Sequence, residues 1–344
     1  MTERDIAFNL LRSAIDGQPP YLGTKPIGAN VWWSVFRLLQ HNHVAALASL
    51  ALEHIDDLPR KVKIPWLAER EKAANWHRYQ LDVQQDIVDH MSRHSIETLV
   101  LKGTHTAHYY PIPELREFGD LDLYFQRHKE ADAVAQSEMG VEINHGSHHH
   151  TKYAYRGVTV ESHCNFVNCH YPPSNRHYEQ LLEPMAPSAT FEVLFLLRHM
   201  AGHFAASRIT LRDVVDWYLT CRTLNNDVDW DTVLETTKDF GMTDFAQALC
   251  SIVEHRFGYK IPLAFEGGPE DSINRNMVEE DIIYGDASSA DKGLDGIGRL
   301  AWKLGRYRAM GWKRRMVFND KPMMLLFSSI TSHAEKPQSI LHKQ

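Results

Sequence analysis

In the run Gly119-Asp120-Leu121-Asp122-Leu123-Tyr124-Phe125 two acids alternate with apolar residues, and a strand would set both carboxylates on one face. Two anions held that close repel each other unless a cation lies between them, and strands are otherwise poor in Asp. An isolated Asp-x-Asp also fits an edge strand whose acids face water. The upstream segment separates the two readings. Thr98-Leu99-Val100-Leu101 reads as a short buried strand, followed by Lys102-Gly103-Thr104 and a helix through His105 to Tyr110. Glycine at such a turn lets a phosphate approach the backbone, and the helix start presents free N–H groups while Lys102 adds a point charge. An anion-binding turn ahead of a cation-binding pair is a layout for a nucleoside triphosphate and its metal ions.

Two divalent ions need more than two carboxylates, because hard cations such as Mg²⁺ take oxygen ligands. Val158-Thr159-Val160-Glu161-Ser162-His163 supplies a third acid. As a strand it points Val158 and Val160 one way and Thr159, Glu161 and His163 the other. Glu161 is the candidate, though taken alone it would read as a solvated strand position.

The run Leu101-Lys102-Gly103, Tyr109-Tyr110-Pro111, Arg116, Gly119-Asp120-Leu121-Asp122-Leu123 and Val160-Glu161-Ser162-His163 resembles the uncharacterised nucleotidyltransferase family within the polymerase-β-like superfamily. The likeness continues into His199-Met200-Ala201-Gly202-His203 and Asp213-Val214-Val215-Asp216-Trp217 and covers roughly residues 90–255. Two positions depart from the pattern. Gly103-Thr104 stands where most of the superfamily has Gly-Ser, and Ser162 stands where an apolar residue usually separates Glu from His; neither removes a metal ligand. The resemblance implies an α+β fold with a polymerase-β-like core. It also implies transfer of a nucleoside monophosphate from a triphosphate to an acceptor hydroxyl, with release of pyrophosphate. Asp120, Asp122 and Glu161 would hold two Mg²⁺ ions, or Mn²⁺ in their place. Lys102, with the N–H groups of Gly103 and Thr104, would grip the triphosphate, and Arg116 would face the leaving pyrophosphate. Replacing Asp120 or Asp122 with alanine is expected to abolish transfer and leave the fold largely intact.

Histidine is abundant, at 21 residues. His199 and His203 are four apart and share a helix face, which suits a substrate cleft or partial burial behind Phe191 and Phe195. His163 could orient Glu161, contact a phosphate, or only pack. His148-His149-His150 with His163, Cys164, Cys169 and His170 offers nitrogen and sulfur for zinc. The Cys164-x4-Cys169-His170 spacing is not a familiar closed site, however, and alternate strand residues face opposite ways. Zinc is therefore not the reading taken.

These residues need elements to position them. Ile6, Leu10 and Ala14 begin a helical stripe, Val31 to His54 is apolar and rich in Ala and Leu, and Trp76, Tyr79, Val83, Ile87 and Met91 recur at three and four. Residues 1–95 thus read as a helical region. The period then changes to two, giving strands near 98–101, 120–125, 141–145, 149–156 and 158–163 with helices near 104–110 and 128–138; the catalytic core spans 96–183. Helices are expected again at 188–205, 210–224, 230–240, 243–257 and 296–316, making 184–344 a helical region with a basic tail. Gly267-Gly268-Pro269 to Gly293 reads as a loop-rich linker.

Composition is that of a soluble globular protein, 43% apolar and 24% charged over 344 residues. No stretch approaches the ~20 apolar residues needed to cross a bilayer. Met1-Thr2-Glu3-Arg4-Asp5 lacks the start of a signal peptide, and Cys164, Cys169, Cys221 and Cys250 show no repeated spacing, so reduced thiols and a cytoplasmic location are expected. The net charge of −7 is uneven: Lys292 to Gln344 holds 11 Lys and Arg against 3 Asp and Glu, leaving 26 against 41 before it. There Arg299, Lys303, Arg306, Arg308, Lys313, Arg314 and Arg315 alternate with Leu300, Trp302, Leu304, Tyr307 and Trp312, which suits a helix resting on RNA or packed against the acidic body. Two other functions fit the sequence, a non-catalytic nucleotide-binding regulatory module and a toxin-like enzyme adding nucleotides to RNA. The acceptor is a small molecule, a protein or RNA.

Overall fold

The structure is a computed structural model. It describes residues 1–117, 119–145, 150–166, 172–182, 185–265, 270–285, 298, 302, 305 and 308–317. Four strands form one mixed sheet in the order β1-β2-β4-β3, with β1 at Thr98–Val100, β2 at Leu121–Phe125, β3 at His150–Tyr155 and β4 at Val158–His163. β1 runs antiparallel to β2, β2 parallel to β4, and β4 antiparallel to β3. Helices surround it, so the α+β class expected from the sequence is the observed one.

The alternation of side chains decides what each face of the sheet does. Leu121, Leu123, Phe125, Val158, Val160 and Tyr153 point to one side and form a core with Val83, Ile87 and Met91 of α4 (Arg60–Arg93) and Ala131, Val134 and Ala135 of α6 (His128–Glu138). Asp122, Glu161 and His163 take the other side. The β3–β4 connection is a two-residue turn, Arg156 at φ 50° and Gly157 at φ 77°, which matches the right-handed twist of the paired strands. Tyr79 donates to the Arg156 carbonyl at 2.6 Å and Tyr155 to Asp86 at 2.7 Å, fastening that hairpin to α4.

A second, larger core joins helices from both ends of the chain. It unites α1 (Glu3–Asp16), α2 (Ala29–His41), α3 (Ala45–Ala48) and the first half of α4 with α8 (Ala189–Ala206), α9 (Leu211–Thr223), α10 (Trp230–Asp239) and α11 (Thr243–Phe257). α4 therefore contributes to both cores: Val62 and Trp66 to the larger, Val83, Ile87 and Met91 to the one beneath the sheet.

Three expectations are corrected. Residues 141–145 are not a strand; only Asn144 bridges to Lys152, because Gly140 at φ 67° turns the chain before it can pair further. The linker after Gly267 contains helix α12 (Glu270–Tyr284), whose Val278, Ile282 and Ile283 are buried; its i, i+4 apolar pair is short and sits between glycines. The helix expected over 104–110 is a single turn, α5 (Thr104–Ala107), followed by turns. Most of the 296–316 segment, with Arg299, Leu300, Lys303, Leu304, Arg306 and Tyr307, lies outside the described residues, as do His148, His149, Cys169 and His170. Within its described end, Gly311–Val317 is helical, and Lys313 is buried, donating to Asp281 and to the Ser207 carbonyl at 2.6 Å each. Cys164, Cys221 and Cys250 are free thiols. Among the described residues no helix is long and apolar enough to cross a membrane.

Candidate active site

β1 is extended past its last residue by the Leu101 N–H, which donates to the Asp122 carbonyl at 2.9 Å. This pairing delivers Lys102 to the Asp122 side chain, with Nζ 3.5 Å from Oδ2. The chain then turns at Gly103, whose φ of 71° and ψ of −112° suit glycine alone, and enters α5. Thr104 is buried, with its hydroxyl donating to Gln84 of α4. It faces the body of the protein.

The parallel register of β2 and β4 places Asp122 opposite Glu161 and Tyr124 opposite His163. His163 Nε2 lies 3.2 Å from Asp122 Oδ1 and 3.5 Å from Glu161 Oε2. From β3, Lys152 Nζ reaches Glu161 Oε1 at 2.5 Å and His150 Nδ1 lies 3.6 Å from Oε2. The ligand atoms of His150, Glu161 and His163 all fall within 4.8 Å of one another, an arrangement that can hold a metal ion.

The charges in this cluster are settled by their neighbours. Burial opposes ionisation of Asp122, but Lys102 and His163 outweigh it and hold its carboxyl below the usual range. Glu161 behaves alike: burial is overcome by His163, His150 and Lys152, which together hold it far down. Burial would lower His163, yet its two carboxylate partners raise it to about 9. His150, with burial dominant, falls to about 4 despite Glu161 beside it. Asp120 is the exception among the acids: burial and then the charges of Glu161 and Asp122 push its carboxyl up, against the pull of Lys152 and Lys102.

These groups open into a cleft of about 570 Å³ lined by Lys102, Gly103, Arg116, Asp120, Asp122 and Glu161 on the sheet side. The facing wall comes from α8 and the start of α9. There His199 accepts from Lys102 at 2.7 Å, and the His199 and His203 rings are 4.4 Å apart. Arg208, Arg212 and Asp213 complete this wall, while Glu69, Lys72 and Trp76 of α4 form a third. Asp213 caps α9 by accepting from the Thr210 N–H at 2.8 Å. Burial notwithstanding, Arg212 and Lys102 keep it ionised well below the usual range.

Arg116 borders the cleft, but its guanidinium is gripped by Asp216 of α9, Nε to Oδ1 at 2.8 Å and a terminal nitrogen to Oδ2 at 2.6 Å. Tyr110 donates to the same Asp216 at 2.6 Å. The pair is buried and ties the segment ahead of Asp120 to the helical wall. Gln80 of α4 holds the same segment from the other side, donating to the Gly119 carbonyl at 2.6 Å.

The cleft thus gathers every candidate named from the sequence except Thr104, which turns inward, and His163, which sits beneath Asp122 and Glu161. It adds Lys72, Trp76, Arg208 and Arg212, and Lys152 and His150 contact Glu161 at its edge. Lys152 and His150 share the parity of Glu161 and His163 once the Arg156-Gly157 hairpin fixes the register, so the signal was present in the alternation. The arginines of the far wall carried none, being ordinary residues at a helix start.

A family model described as Uncharacterised nucleotidyltransferase matches residues 29–258. No curated protein and no solved structure matches the chain. The matched stretch runs from the first residue of α2 to the end of α11 and contains the whole sheet and all three walls of the cleft. The chain belongs to the uncharacterised nucleotidyltransferase family.

Proposed function

We propose that the cleft transfers a nucleoside monophosphate from a nucleoside triphosphate to an acceptor hydroxyl in a reaction that depends on Mg²⁺ or Mn²⁺. The observation that carries this reading is the convergence of Asp120, Asp122 and Glu161 on one face of the β2–β4 pair. The donor set fits divalent cations, since burial and then the charges of Glu161 and Asp122 push the Asp120 carboxyl up, and a bound cation relieves the repulsion part. When bound, such ions supply charge neutralisation at the phosphates and acidify the acceptor hydroxyl.

The chain's own residues do the rest. The acceptor oxygen attacks the α-phosphorus in line, the bond from that phosphorus to the β-phosphate oxygen breaks, and pyrophosphate leaves. Glu161 serves either as a ligand or as the group that takes the acceptor's proton. Lys102 stands between Asp122 and His199, where a cation meets the phosphate chain without needing to move. The N–H groups of Gly103 and Thr104 lie beside it. Arg208 and Arg212 face the carboxylates from across the cleft, so negative charge that develops on the leaving pyrophosphate meets fixed positive charge. Arg116 holds the Asp120 segment in place through Asp216 and adds its field.

Purified protein is tested for thermal stabilisation by ATP, GTP, CTP and UTP, each with and without Mg²⁺, beside the Asp120→Ala variant. A Mg²⁺-dependent rise with one nucleotide, lost in the variant, supports the reading. Absence of any shift, together with no transfer of an α-labelled phosphate to any acceptor class, sinks it.

A further inference from the structure

The acidic cluster is half nitrogen. His150 and His163 are paired across the β3–β4 ladder, with ring centroids 5.2 Å apart, and both address the same oxygen of Glu161, Oε2, at 3.6 and 3.5 Å. Lys152 takes the other oxygen, Oε1, at 2.5 Å, which fixes the carboxylate with Oε2 toward the imidazoles. Asp122 adds Oδ1 at 3.2 Å from His163 Nε2.

A tetrahedral ion with bonds of about 2.0–2.1 Å spaces neighbouring donor atoms about 3.3 Å apart. The separations of 3.5 and 3.6 Å from Glu161 Oε2 to the two imidazoles lie close to that edge length. Ligand chemistry then selects the ion. Mg²⁺ prefers oxygen and retains its waters, whereas two imidazoles with carboxylates suit the borderline first-row ions.

We propose that His150, Glu161 and His163, with water completing the coordination, bind a borderline transition-metal ion of the Zn²⁺ or Fe²⁺ class. The transfer cleft then holds two unlike positions, one nitrogen-rich at His150 and His163 and one all-oxygen at Asp120 and Asp122, with Glu161 shared between them. Its part in catalysis rests on the nucleotidyl-transfer reading of the cleft; the binding of the ion does not.

The test is direct metal binding to the full chain after chelator treatment. Zn²⁺ is followed by titration calorimetry and Co²⁺ by its visible spectrum, with Mg²⁺ for comparison. One Zn²⁺ is expected per chain, about 100-fold tighter than Mg²⁺, with an intense Co²⁺ band of a four-coordinate nitrogen site. His150→Ala and, as a milder change, His163→Gln should each weaken Zn²⁺ by about tenfold or more, while Asp120→Ala should hold Zn²⁺ within a few-fold. Wild-type protein that takes up neither Zn²⁺ nor Co²⁺ overturns the proposal, whatever the variants do. So does unchanged Zn²⁺ affinity in both histidine variants with native circular dichroism. Histidine-dependent Zn²⁺ binding without nucleotide transfer would uphold the site and remove the transfer reading. Mg²⁺-dependent transfer without such binding would do the reverse.

Discussion

Asp122 lies directly opposite Glu161 across the parallel β2–β4 pair, and one imidazole, His163, contacts both carboxylates. Asp120, just ahead of β2, lines the same cleft; among the described residues it has no such cation in contact, and burial and the neighbouring acids push it toward its protonated form. The two acids of the Asp-x-Asp motif therefore differ in what they do for the fold.

Both Asp120→Ala and Asp122→Ala should lower transfer by about 100-fold or more, but their stabilities should move in opposite directions. Removing Asp120 relieves repulsion and raises the melting temperature. Loss of Asp122 takes from Lys102 its buried counter-charge and leaves His163 with Glu161 alone, which costs about 3 kcal/mol. This departs from the sequence-based expectation that either change spares the fold. Equal melting temperatures in the two variants would refute the distinction.

The buried Arg116–Asp216 pair should behave as a strut. Asp216→Asn loses the charge facing a buried guanidinium and should destabilise by about 3–5 kcal/mol in urea titrations. The double change Arg116→Met with Asp216→Leu should cost less than Asp216→Asn alone. A double variant weaker than the single one would mean that the pair contributes net stability.

Glu117, beside Arg116 at the cleft, gives a pH dependence. Burial raises its carboxyl to about 7, above the ordinary value near 4.5. The folded state therefore binds more protons than the unfolded state between those two pH values. Stability from this group is full below about 4.5 and falls as pH rises to about 7. Glu117→Gln keeps an acceptor for the Ala46 N–H, which donates at 3.0 Å. The variant should match wild type near pH 4.5 and exceed it at pH 8 by on the order of 2 kcal/mol. A difference independent of pH in paired melting curves would dismiss this role.

Gly103→Ala places a side chain at φ 71°, ψ −112°, at a cost of about 1–3 kcal/mol. Because the strain sits at the turn beside Lys102, nucleotide affinity should fall along with stability. An unstrained variant with native affinity would show that the turn is free to change shape.

Much of the site was legible because strand alternation is a local signal. The face shared by Glu161 and His163 follows from parity alone, and the helix over 128–138 is found at the residues its periodicity implies. What escaped depends on distance along the chain. Asp216 meets Arg116 a hundred residues away, and nothing around Arg116 announces a buried partner. α12 escaped because two glycine-rich flanks dominate a short apolar pattern. His150 and Lys152 needed the register of a hairpin, which sets them across the ladder from His163 and Glu161 and which no residue spacing along the chain announces.

α4 spans 34 residues, about 50 Å at 1.5 Å per residue. Its two ends are embedded in separate cores, and its middle, from Glu69 to Trp76, borders the cleft. One rod thus acts as a caliper, setting the gap between the carboxylates of the sheet and the arginines across from them.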